Sequence, residues 1–491
     1  MATAAAMGPQ IVRTLGWDSD VSGPLVLAVQ LRGHGTVYLP HISAWTSLWW
    51  ELATRDLPFH VQLWQATGYA FAVAGAALVG WATGRVVGRR NGLTAAAAAL
   101  VVGPLALRAL FTLNFHVSTP FTAAVLGAFL VVIAKSRAWL IAIPVGILAG
   151  LNLASDPLLL PAGIVPFAIA AGVFAFSARR VRIAIHAGLA LALAAVAALS
   201  ANGLMHGLGY HVAGARSQRS PLHDLPHNVS LLGRMIALLG GANYALPGGY
   251  PVEPLRAVVA LLVLLAAAAP LVAAAKHFIQ PAHPLLRAYA CYWGAVAIFL
   301  GIAFVGTTNA AALGWPSFSY LLALAPAAGA GVGLLSAGST RAQSLAAIGV
   351  AVVGAVNIAG VIGGRAETPL GEVGKYERPL VRFLTHERVT RGYAGYWDAQ
   401  NLTWQSGMRV RVEPVGLCNT RGKPLCAFRS SVIASSYRAR PEPSFLIVDP
   451  TAGSVTTRPA FAVDATASRR FGRSTVYLFP YDIARYVLLA K

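Results

Sequence analysis

Two aspartates near the N-terminus are the first residues whose type and spacing could carry chemistry. Asp18 and Asp20 are separated by one serine and follow a tryptophan. Two neighbouring carboxylates can accept a proton, bind a metal ion or accept hydrogen bonds from sugar hydroxyls. A D-x-D spacing also occurs at capped helix starts and in solvated turns, so both interpretations stay open.

Asp156 is the second candidate, because residues 60–365 contain only three acidic side chains, those of Asp156, Asp224 and Glu253. Ionisable groups at membrane depth usually face a cavity and carry function. Asp156 also precedes Pro157, and a capped helix often has proline at its first position. It could therefore be a functional carboxylate or a helix cap.

Basic side chains complete the candidate set. His116 lies in a short turn at residues 114–118, and Arg108 lies about two turns inside a predicted span. A charge there is costly unless it pairs or snorkels, so Arg108 either binds an anionic phosphate or reaches the membrane surface. A long loop supplies a further basic set, which could bind phosphate or face solvent. Its members are Arg216, Arg219, His223, His227 and Arg234.

The composition indicates that the segments carrying these residues lie in a membrane. Of the 491 residues 56% are hydrophobic and 11% are charged, and the mean hydropathy is +0.62. Soluble globular chains are about a quarter charged, which excludes a water-soluble protein. The net charge of +21 is attributed to Lys and Arg at helix ends, which contact lipid headgroups. No nucleic-acid partner is expected.

Windows of about 20 apolar residues predict a mainly α, polytopic bundle of about ten transmembrane helices. The predicted spans are 66–84, 92–113, 119–134, 138–155, 157–177, 183–203, 255–275, 286–306, 312–337 and 342–363. Every second connecting loop is rich in Lys and Arg, which is typical of cytoplasmic loops. The other connections therefore lie outside the cytoplasm.

This alternation predicts three regions. Residues 1–65 form an extracytoplasmic first loop with juxtamembrane helices, and residues 66–365 form the bundle, with an extracytoplasmic loop at 204–254. Residues 366–491 form an extracytoplasmic α+β domain. An outside N-terminus without a signal segment leads us to expect one more membrane helix upstream, which would make eleven.

Shorter elements are predicted inside these regions. Helices at the membrane interface are expected at residues 44–52 and 229–239, since tryptophan and amphipathic patterns favour that level. In the last region we predict a helix at 378–386 and strands at 408–412, 445–448 and 475–479. Cys418 and Cys426 flank a Gly- and Pro-containing stretch that suggests a hairpin. They form a disulfide or remain two free thiols.

Motifs of other enzyme classes are missing from the sequence. It contains no P-loop, no dinucleotide-binding glycine pattern in a βαβ unit, no H-E-x-x-H and no C-x-x-C. ATP hydrolysis, zinc-dependent hydrolysis and soluble redox chemistry therefore lack support.

The combination resembles the GT-C superfamily of integral membrane glycosyltransferases, in particular bacterial protein mannosyltransferases and aminoarabinose transferases. The resemblance rests on an Asp-containing first loop, a many-spanning bundle, Asp156 at an outer helix end and a C-terminal extracytoplasmic domain. Two stretches are similar to bacterial members, Ala-Ser-Asp-Pro-Leu-Leu-Leu at 154–160 and Gly-Tyr-Ala-Gly-Tyr-Trp-Asp-Ala at 392–399. The aromatic rings of the second stretch either stack on sugars or pack the core.

The resemblance implies an inverting glycosyltransferase at the outer face of a bacterial inner membrane, with a polyprenyl-phosphate sugar as donor. Asp18 is the first candidate for the catalytic base and Asp20 the second. Asp156 would orient sugar or acceptor, and Arg108, His116 or Arg234 would face the donor phosphate. The acceptor would be a glycan, a lipid or a protein. A divalent metal is left open, because some relatives use one and others do not.

Two alternatives belong to other classes. The chain could be a ligase, polymerase or flippase of lipid-linked saccharides, or a non-catalytic membrane scaffold. Polar groups near the bilayer midplane would favour transport, whereas the candidate residues here gather at outer helix ends. The turn around His116 departs from the family, because several relatives carry an acidic residue there.

Overall fold

The computed structural model describes most of the chain. The described residues are 19–30, 37–39, 52–57, 60–103, 106, 109, 116–212, 219–242, 254–280, 282–307, 320–362, 373–420, 422–428, 432–450 and 454–489. They belong to two compact units. The first unit comprises residues 62–202 and 216–366, and the second comprises residues 10–61, 203–215 and 367–491.

The regular elements are numbered in chain order. They are α1 (Ser19–Gln30), β1 (Val37–Leu39), α2 (His60–Val87), α3 (Arg89–Leu100), α4 (Ser118–Val132), α5 (Trp139–Ser155), α6 (Val165–Ala178), α7 (Val181–Gly207), β2 (Tyr210–Val212), α8 (Leu225–Leu239), α9 (Pro254–Ile279), α10 (Pro284–Val305), α11 (Leu324–Ser336), α12 (Thr340–Ile362), α13 (Val373–His386), β3 (Arg391–Ala394), α14 (Tyr396–Gln405), β4 (Arg411–Thr420), β5 (Lys423–Ala427), β6 (Val432–Ile433), β7 (Ser444–Val448), β8 (Ala467–Phe471), β9 (Ser474–Phe479) and β10 (Val487–Leu488).

The first unit is an apolar helix bundle, as the composition predicts. Within the described residues, six helices are long and apolar enough to cross a membrane, and they lie in α2, α6, α7, α9, α10 and α12. The helices α4, α5 and α11 are apolar but shorter. A π-helical turn at Leu160–Ile164 leads into α6. The protein is therefore a mainly helical membrane protein, and α2, α6, α7, α9, α10 and α12 lie at predicted spans.

The predicted continuous span over 92–113 is wrong, because α3 ends at Leu100 and residues 101–103 are not helical. Pro104 follows them, and a proline disfavours helical backbone angles at the residue before it. Within the bundle, Asn357 on α12 donates from Nδ2 to the carbonyls of Gly240 (3.1 Å) and Val102 (3.4 Å). The Asn357 side chain thus supplies a hydrogen-bond donor for the Val102 carbonyl, which lies in the non-helical stretch.

Small residues let the bundle helices approach closely. A Cβ atom at Gly329 on α11 would lie 2.5 Å from the carbonyl oxygen of Ala95 on α3, and one at Gly331 would lie 2.3 Å from the nitrogen of Pro270 on α9. Without a hydrophobic drive between helices in lipid, such contacts supply much of the packing energy.

The second unit contains a seven-stranded sheet with the order β10-β5-β4-β3-β7-β9-β8. Its centre is parallel, since β3 pairs in parallel with both β4 and β7. Helix α14 connects β3 to β4, and α1 packs against α14 with Leu25, Val26 and Leu27 fully buried. The helix of the first loop is therefore part of the core of this unit.

Most short elements of this region lie close to their predicted positions. The predicted strands at 445–448 and 475–479 are β7 and β9, and the predicted helix at 378–386 is the end of α13. The strand predicted at 408–412 begins only at Arg411, because Gly407 and Met408 both have positive φ and form a turn. The interfacial helix predicted at 229–239 is α8. The one predicted at 44–52 lies outside the described residues except for Leu52.

The two cysteines of this region form a disulfide, Cys418–Cys426, across the β4–β5 hairpin. The disulfide alternative is thus confirmed, and so is the hairpin that Gly and Pro suggested. Disulfides persist mainly in oxidising compartments.

The stretch at 392–399 supplies core contacts. Tyr393 is fully buried, and its hydroxyl donates to Oδ1 of Asp482 at 2.8 Å. Gly392 is required because a Cβ there would lie 2.4 Å from the ring of Phe445. The Tyr396 ring is buried as well and stacks on Phe428 at 4.6 Å between centroids. The interpretation that these rings pack the core is therefore correct for Tyr393 and Tyr396.

A second, three-stranded sheet joins three segments that are far apart in the chain. β1 from the first loop pairs in parallel with β2 and antiparallel with β6. In the register of the first pair, Tyr38 lies opposite His211. Because backbone hydrogen bonds hold these strands together, the three segments lie on one side of the membrane.

We expect Tyr38→Cys combined with His211→Cys to form a disulfide in the full chain, because both positions share one face of adjacent strands. The control combines Tyr38→Cys with Val212→Cys, which places the second thiol on the opposite face. Both pairs are made in Cys291→Ser, and free thiols are counted by maleimide labelling. Equal labelling of the two pairs would contradict the register.

The second unit also predicts a dependence of stability on pH. Burial raises the pKa of Asp398 to about 7, Asp449 raises it further and Arg473 opposes the rise. The Oδ2 atom of Asp398 is buried and has no hydrogen-bond partner among the described residues. The folded state thus retains a proton that the unfolded chain loses near pH 4, so stability falls as pH rises from about 4 to 7.

Asp398→Asn removes this ionisable group. We expect the variant to be more stable than the parent by about 3 kcal/mol at pH 8.5 and equal to it at pH 4. The measurement is thermal unfolding of the full chain in detergent across this range. Asn substitution of the exposed Asp464 is the control, and a pH-independent difference at position 398 would refute the assignment.

Candidate active site

Asp156 lies where α5 ends, before the π-helical turn that leads into α6. Its backbone is extended, and its amide donates to the carbonyl of Asn152 at 2.6 Å. Its Oδ1 accepts a hydrogen bond from the amide of Leu158 at 3.0 Å. This is the geometry of a helix cap, so one carboxylate oxygen has the structural role that the following Pro157 suggested.

The other carboxylate oxygen of Asp156 binds two side chains from the start of α4. His116 Nδ1 lies 2.9 Å from Oδ2, and the Thr119 hydroxyl donates to the same oxygen at 2.5 Å. Thr119 Oγ1 is also 3.2 Å from Oδ1 of Asn152. Asp156 is therefore both a cap and the centre of a polar cluster, which we call the Asp156 cluster (His116, Thr119, Asn152 and Asp156).

The members of the Asp156 cluster differ in how far their side chains are exposed. The side chain of Asp156 is 2% exposed and that of His116 is 14% exposed. The His116 ring lies against the ring of Tyr320, with centroids 4.7 Å apart. Nδ1 is the ring nitrogen of His116 that contacts Asp156. The Nε2 edge is then the edge of the ring that points away from Asp156.

The bundle also contains an apolar cavity of about 320 Å³. Val117, Pro120 and Phe121 line it together with Tyr69 and Asn357, whereas the four residues of the Asp156 cluster are not among its lining residues. A second apolar cavity of about 310 Å³ shares the wall residues Val101, Val102 and Ala325 with the first. The bundle therefore offers both a buried polar cluster and a large apolar space.

The remaining predicted site residues are placed elsewhere or are not described. Asp18 and Arg108 lie outside the described residues. Asp20 belongs to the first turn of α1. Arg234 lies on α8 with an exposed side chain. Of the candidates, the structure thus brings His116 and Asp156 together. Among the described residues there is no group of three or more His, Cys, Asp or Glu side chains that could hold a metal ion.

Sequence reasoning missed Thr119, Asn152 and Tyr320. Thr119 follows His116 by three residues across the turn that starts α4, and Asn152 precedes Asp156 by four residues in the last turn of α5, so each pair is close in the chain. Those spacings could have identified the two residues. No local signal links Tyr320 to His116, because the contact joins segments far apart in the chain.

The comparisons with known proteins show low similarity. No family model and no curated protein matches the chain. The Archaeoglobus fulgidus oligosaccharyltransferase in its apo form matches at 12% identity and a TM-score of 0.45, covering 81% of this chain and 60% of that one. This chain thus spans about 60% of the length of the archaeal protein.

ArnT from Cupriavidus metallidurans, in the apo state, matches at 13% identity and a TM-score of 0.41, covering 96% of this chain and 94% of that one. The same protein bound to undecaprenyl phosphate matches at 14% identity and a TM-score of 0.41, covering 94% and 93%. Both proteins are members of the GT-C superfamily, which the sequence resembles. With similarity this low, the function has to be argued from the chemistry of the site.

Removal of the central carboxylate should destabilise the bundle. In Asp156→Leu, the His116 ring, the Thr119 hydroxyl and the Leu158 amide lose a buried partner, so we expect a loss of about 3 kcal/mol. Thermal unfolding in detergent measures it. The control is Asp224→Leu, at the start of α8, whose side chain is 41% exposed. Equal losses in the two variants would contradict a buried cluster.

Proposed function

We propose that the chain is a membrane glycosyltransferase that transfers a sugar from a polyprenyl-phosphate donor to an acceptor hydroxyl on the extracytoplasmic face. The observation that carries the proposal is the Asp156 cluster, a buried polar group in an apolar bundle that also contains two apolar cavities. A bundle with buried polar groups and a large apolar space suits an amphiphile with a charged head and a long hydrocarbon tail. A lipid-linked sugar phosphate has both parts.

The proposed reaction is an inverting displacement at the anomeric carbon. A carboxylate removes the proton of the acceptor hydroxyl, the acceptor oxygen bonds to the anomeric carbon, and the bond to the phosphate oxygen breaks. The electron pair leaves with the polyprenyl phosphate, whose charge cationic groups stabilise. Asp18 is the first candidate for the base and Asp20 the second. His116, Arg108 and Arg234 are the candidates for contact with the donor phosphate, and Asp156 would orient sugar or acceptor.

The three-stranded sheet constrains the number of membrane crossings. β1, β2 and β6 share one sheet, so the chain between β1 and β2, and again between β2 and β6, must cross the membrane an even number of times. Among the described residues, the six long apolar helices divide into three before β2 and three after it, which is odd in both halves. The shorter apolar helices α4 and α5 would add two crossings before β2, and α11 would add one after it. The first half then needs one further crossing, which we propose lies in the predicted span 92–113.

The disulfide Cys418–Cys426 supports an oxidising compartment for the same side. In a bacterial inner membrane that side is the extracytoplasmic one, which faces lipid carriers and cell-envelope acceptors. Glycan, lipid and protein acceptors all remain within the proposal, as does a divalent metal. The activated donor supplies the free energy for sugar transfer.

A flippase or polymerase of lipid-linked saccharides is the second candidate function. The interruption of the α3 span at residues 101–103 favours it, since broken helices beside cavities are typical of transporters. Asn357 donates to the Val102 carbonyl at this interruption, and both residues line the first apolar cavity.

The test is transfer of radiolabelled sugar from a panel of polyprenyl-phosphate sugars in membranes that contain the full chain. We expect Asp18→Asn to reduce transfer by about 10²- to 10⁴-fold, as loss of a general base does. Asp20→Asn is measured in parallel, because loss there alone would assign the base to Asp20. Asn substitution of Asp56, whose side chain is 95% exposed, is the control.

Two outcomes would contradict the proposal. If no donor supports transfer while labelled lipid crosses the bilayer in reconstituted vesicles, the flippase hypothesis replaces the glycosyltransferase proposal. If neither transfer nor translocation occurs with a full panel of donors and acceptors, the scaffold hypothesis remains.

A further inference from the structure

We propose that an exposed arginine of the second unit, Arg485, is the centre of a binding surface for acidic sugar units. We call this surface the Arg485 platform (Asp464, Tyr481, Arg485 and Tyr486). All four residues belong to the second unit. The inference goes beyond the proposed function, because it concerns recognition of a glycan and needs neither a lipid-linked donor nor sugar transfer.

The local fold holds the platform in place. A short 3-10 helix, Ile483–Tyr486, follows β9, and the side chain of Asp482 caps its start. The first two residues of this helix are buried, whereas Arg485 is exposed. The ring of Tyr486 stacks on the buried Phe461, with centroids 4.3 Å apart. Buried neighbours therefore fix the backbone on both sides of an arginine that faces solvent.

The guanidinium of Arg485 lies against both tyrosines of the platform. Its Cζ atom is 3.7 Å from the ring centroid of Tyr481 and 4.9 Å from that of Tyr486. Nη2 also donates to the hydroxyl of Tyr486 at 3.0 Å. Stacking of this kind restrains a long side chain before any ligand arrives, so less conformational entropy is lost when the guanidinium binds a further group.

The positive charge of Arg485 has no counter-charge close to it. Within the parts of the chain that the structure describes, no carboxylate forms an ion pair with Arg485. The two tyrosines are phenols, which are neutral at pH 7. Two hydroxyl groups cannot occupy all five N–H groups of a guanidinium. The remaining donors suit a carboxylate or a phosphate, which arginine binds through two parallel hydrogen bonds.

A carboxylate lies at the hydroxyl end of Tyr481. This hydroxyl donates to Oδ2 of Asp464 at 3.1 Å, and Asp464 is exposed like Arg485. An ionised carboxylate accepts hydrogen bonds, whereas a guanidinium donates them. The platform therefore offers a partner for an anionic group and an acceptor for hydroxyl groups near it. A sugar ring that carries a carboxylate or a phosphate has both kinds of group.

Other anionic partners fit the platform less well. An acidic peptide or a surface of anionic lipids would also contact Arg485. Each would bring several negative charges towards Asp464, and like charges that meet in an interface oppose binding. A sugar unit brings one negative charge and surrounds it with hydroxyl groups, which Asp464 can accept.

Binding is measured by titration calorimetry on the full chain in detergent. Galacturonic acid trimers are the probe, and galactose trimers are their uncharged counterpart. Glucose 6-phosphate presents the anion as a phosphate, so it distinguishes the two sources of negative charge. Polyglutamate and vesicles of phosphatidylglycerol represent the acidic peptide and the anionic lipid surface. We expect the two acidic sugars to bind at least about tenfold more tightly than the galactose trimer.

Two variants test the roles of the charged residues. Arg485→Gln should weaken binding of the galacturonic acid trimer by about 10- to 100-fold, as loss of a charge-assisted hydrogen bond does. Arg485→Lys should recover only part of this loss, because lysine keeps the charge but lacks the planar pair of donors. Asp464→Asn should weaken binding of the same trimer by about 3- to 10-fold and strengthen binding of polyglutamate.

The matched control is Arg469→Gln, which lowers the net charge of the second unit by the same amount. Arg469 is exposed and also lies over two aromatic rings, those of Phe383 (5.2 Å) and Phe471 (5.3 Å). These rings carry no hydroxyl group. Arg469→Gln should therefore leave the affinity for the acidic trimer unchanged.

Three results would overturn the inference. The first is a parent that binds neither acidic sugar more tightly than the galactose trimer, or an Arg485→Gln variant that keeps the parent's affinity. The second is an equal loss in Arg469→Gln, which would show that net charge alone matters. The third is tighter binding of polyglutamate or of the lipid vesicles than of either acidic sugar. Since no donor enters the measurement, none of these results decides the proposed function.

Discussion

Backbone hydrogen bonds between three very short strands constrain the whole molecule. β1, β2 and β6 have three, three and two residues, yet they come from the first loop, the middle of the chain and the C-terminal region. Each must present unpaired amide and carbonyl groups at the same place. The number of membrane crossings between them is therefore even, which constrains the orientation of every helix in between.

Electrostatics sets the second constraint, at the end of α5. Asp156 carries one of few negative charges in the bundle, and an uncompensated carboxylate there would cost several kcal/mol. The chain meets this cost with a backbone amide, a hydroxyl and an imidazole. The same hydrogen bonds hold the imidazole of His116 in place, so the stability of the bundle and the proposed chemistry both depend on them.

The sequence was informative wherever a single physical preference dominates. Apolar length located most of the spans, and the scarcity of acidic residues between 60 and 365 singled out Asp156. Periodicity failed at residues 101–103, where Pro104 and the contacts of Asn357 override an apolar pattern that reads as continuous helix. The partners of Asp156 were predictable only in part. His116 was predicted at the same outer level, and Thr119 and Asn152 are close to the two candidates in the chain, but the contact with Tyr320 depends on how distant segments pack.

The three-stranded sheet also has a consequence for how the protein is made. β1 leaves the ribosome long before β2 and β6, at about 5–20 residues per second, so its edges stay unpaired for tens of seconds. During that time the nascent chain carries an exposed strand that could pair with other chains. The sheet is complete only after β6 has been synthesised, so a strand from the C-terminal region closes a sheet that begins in the first loop.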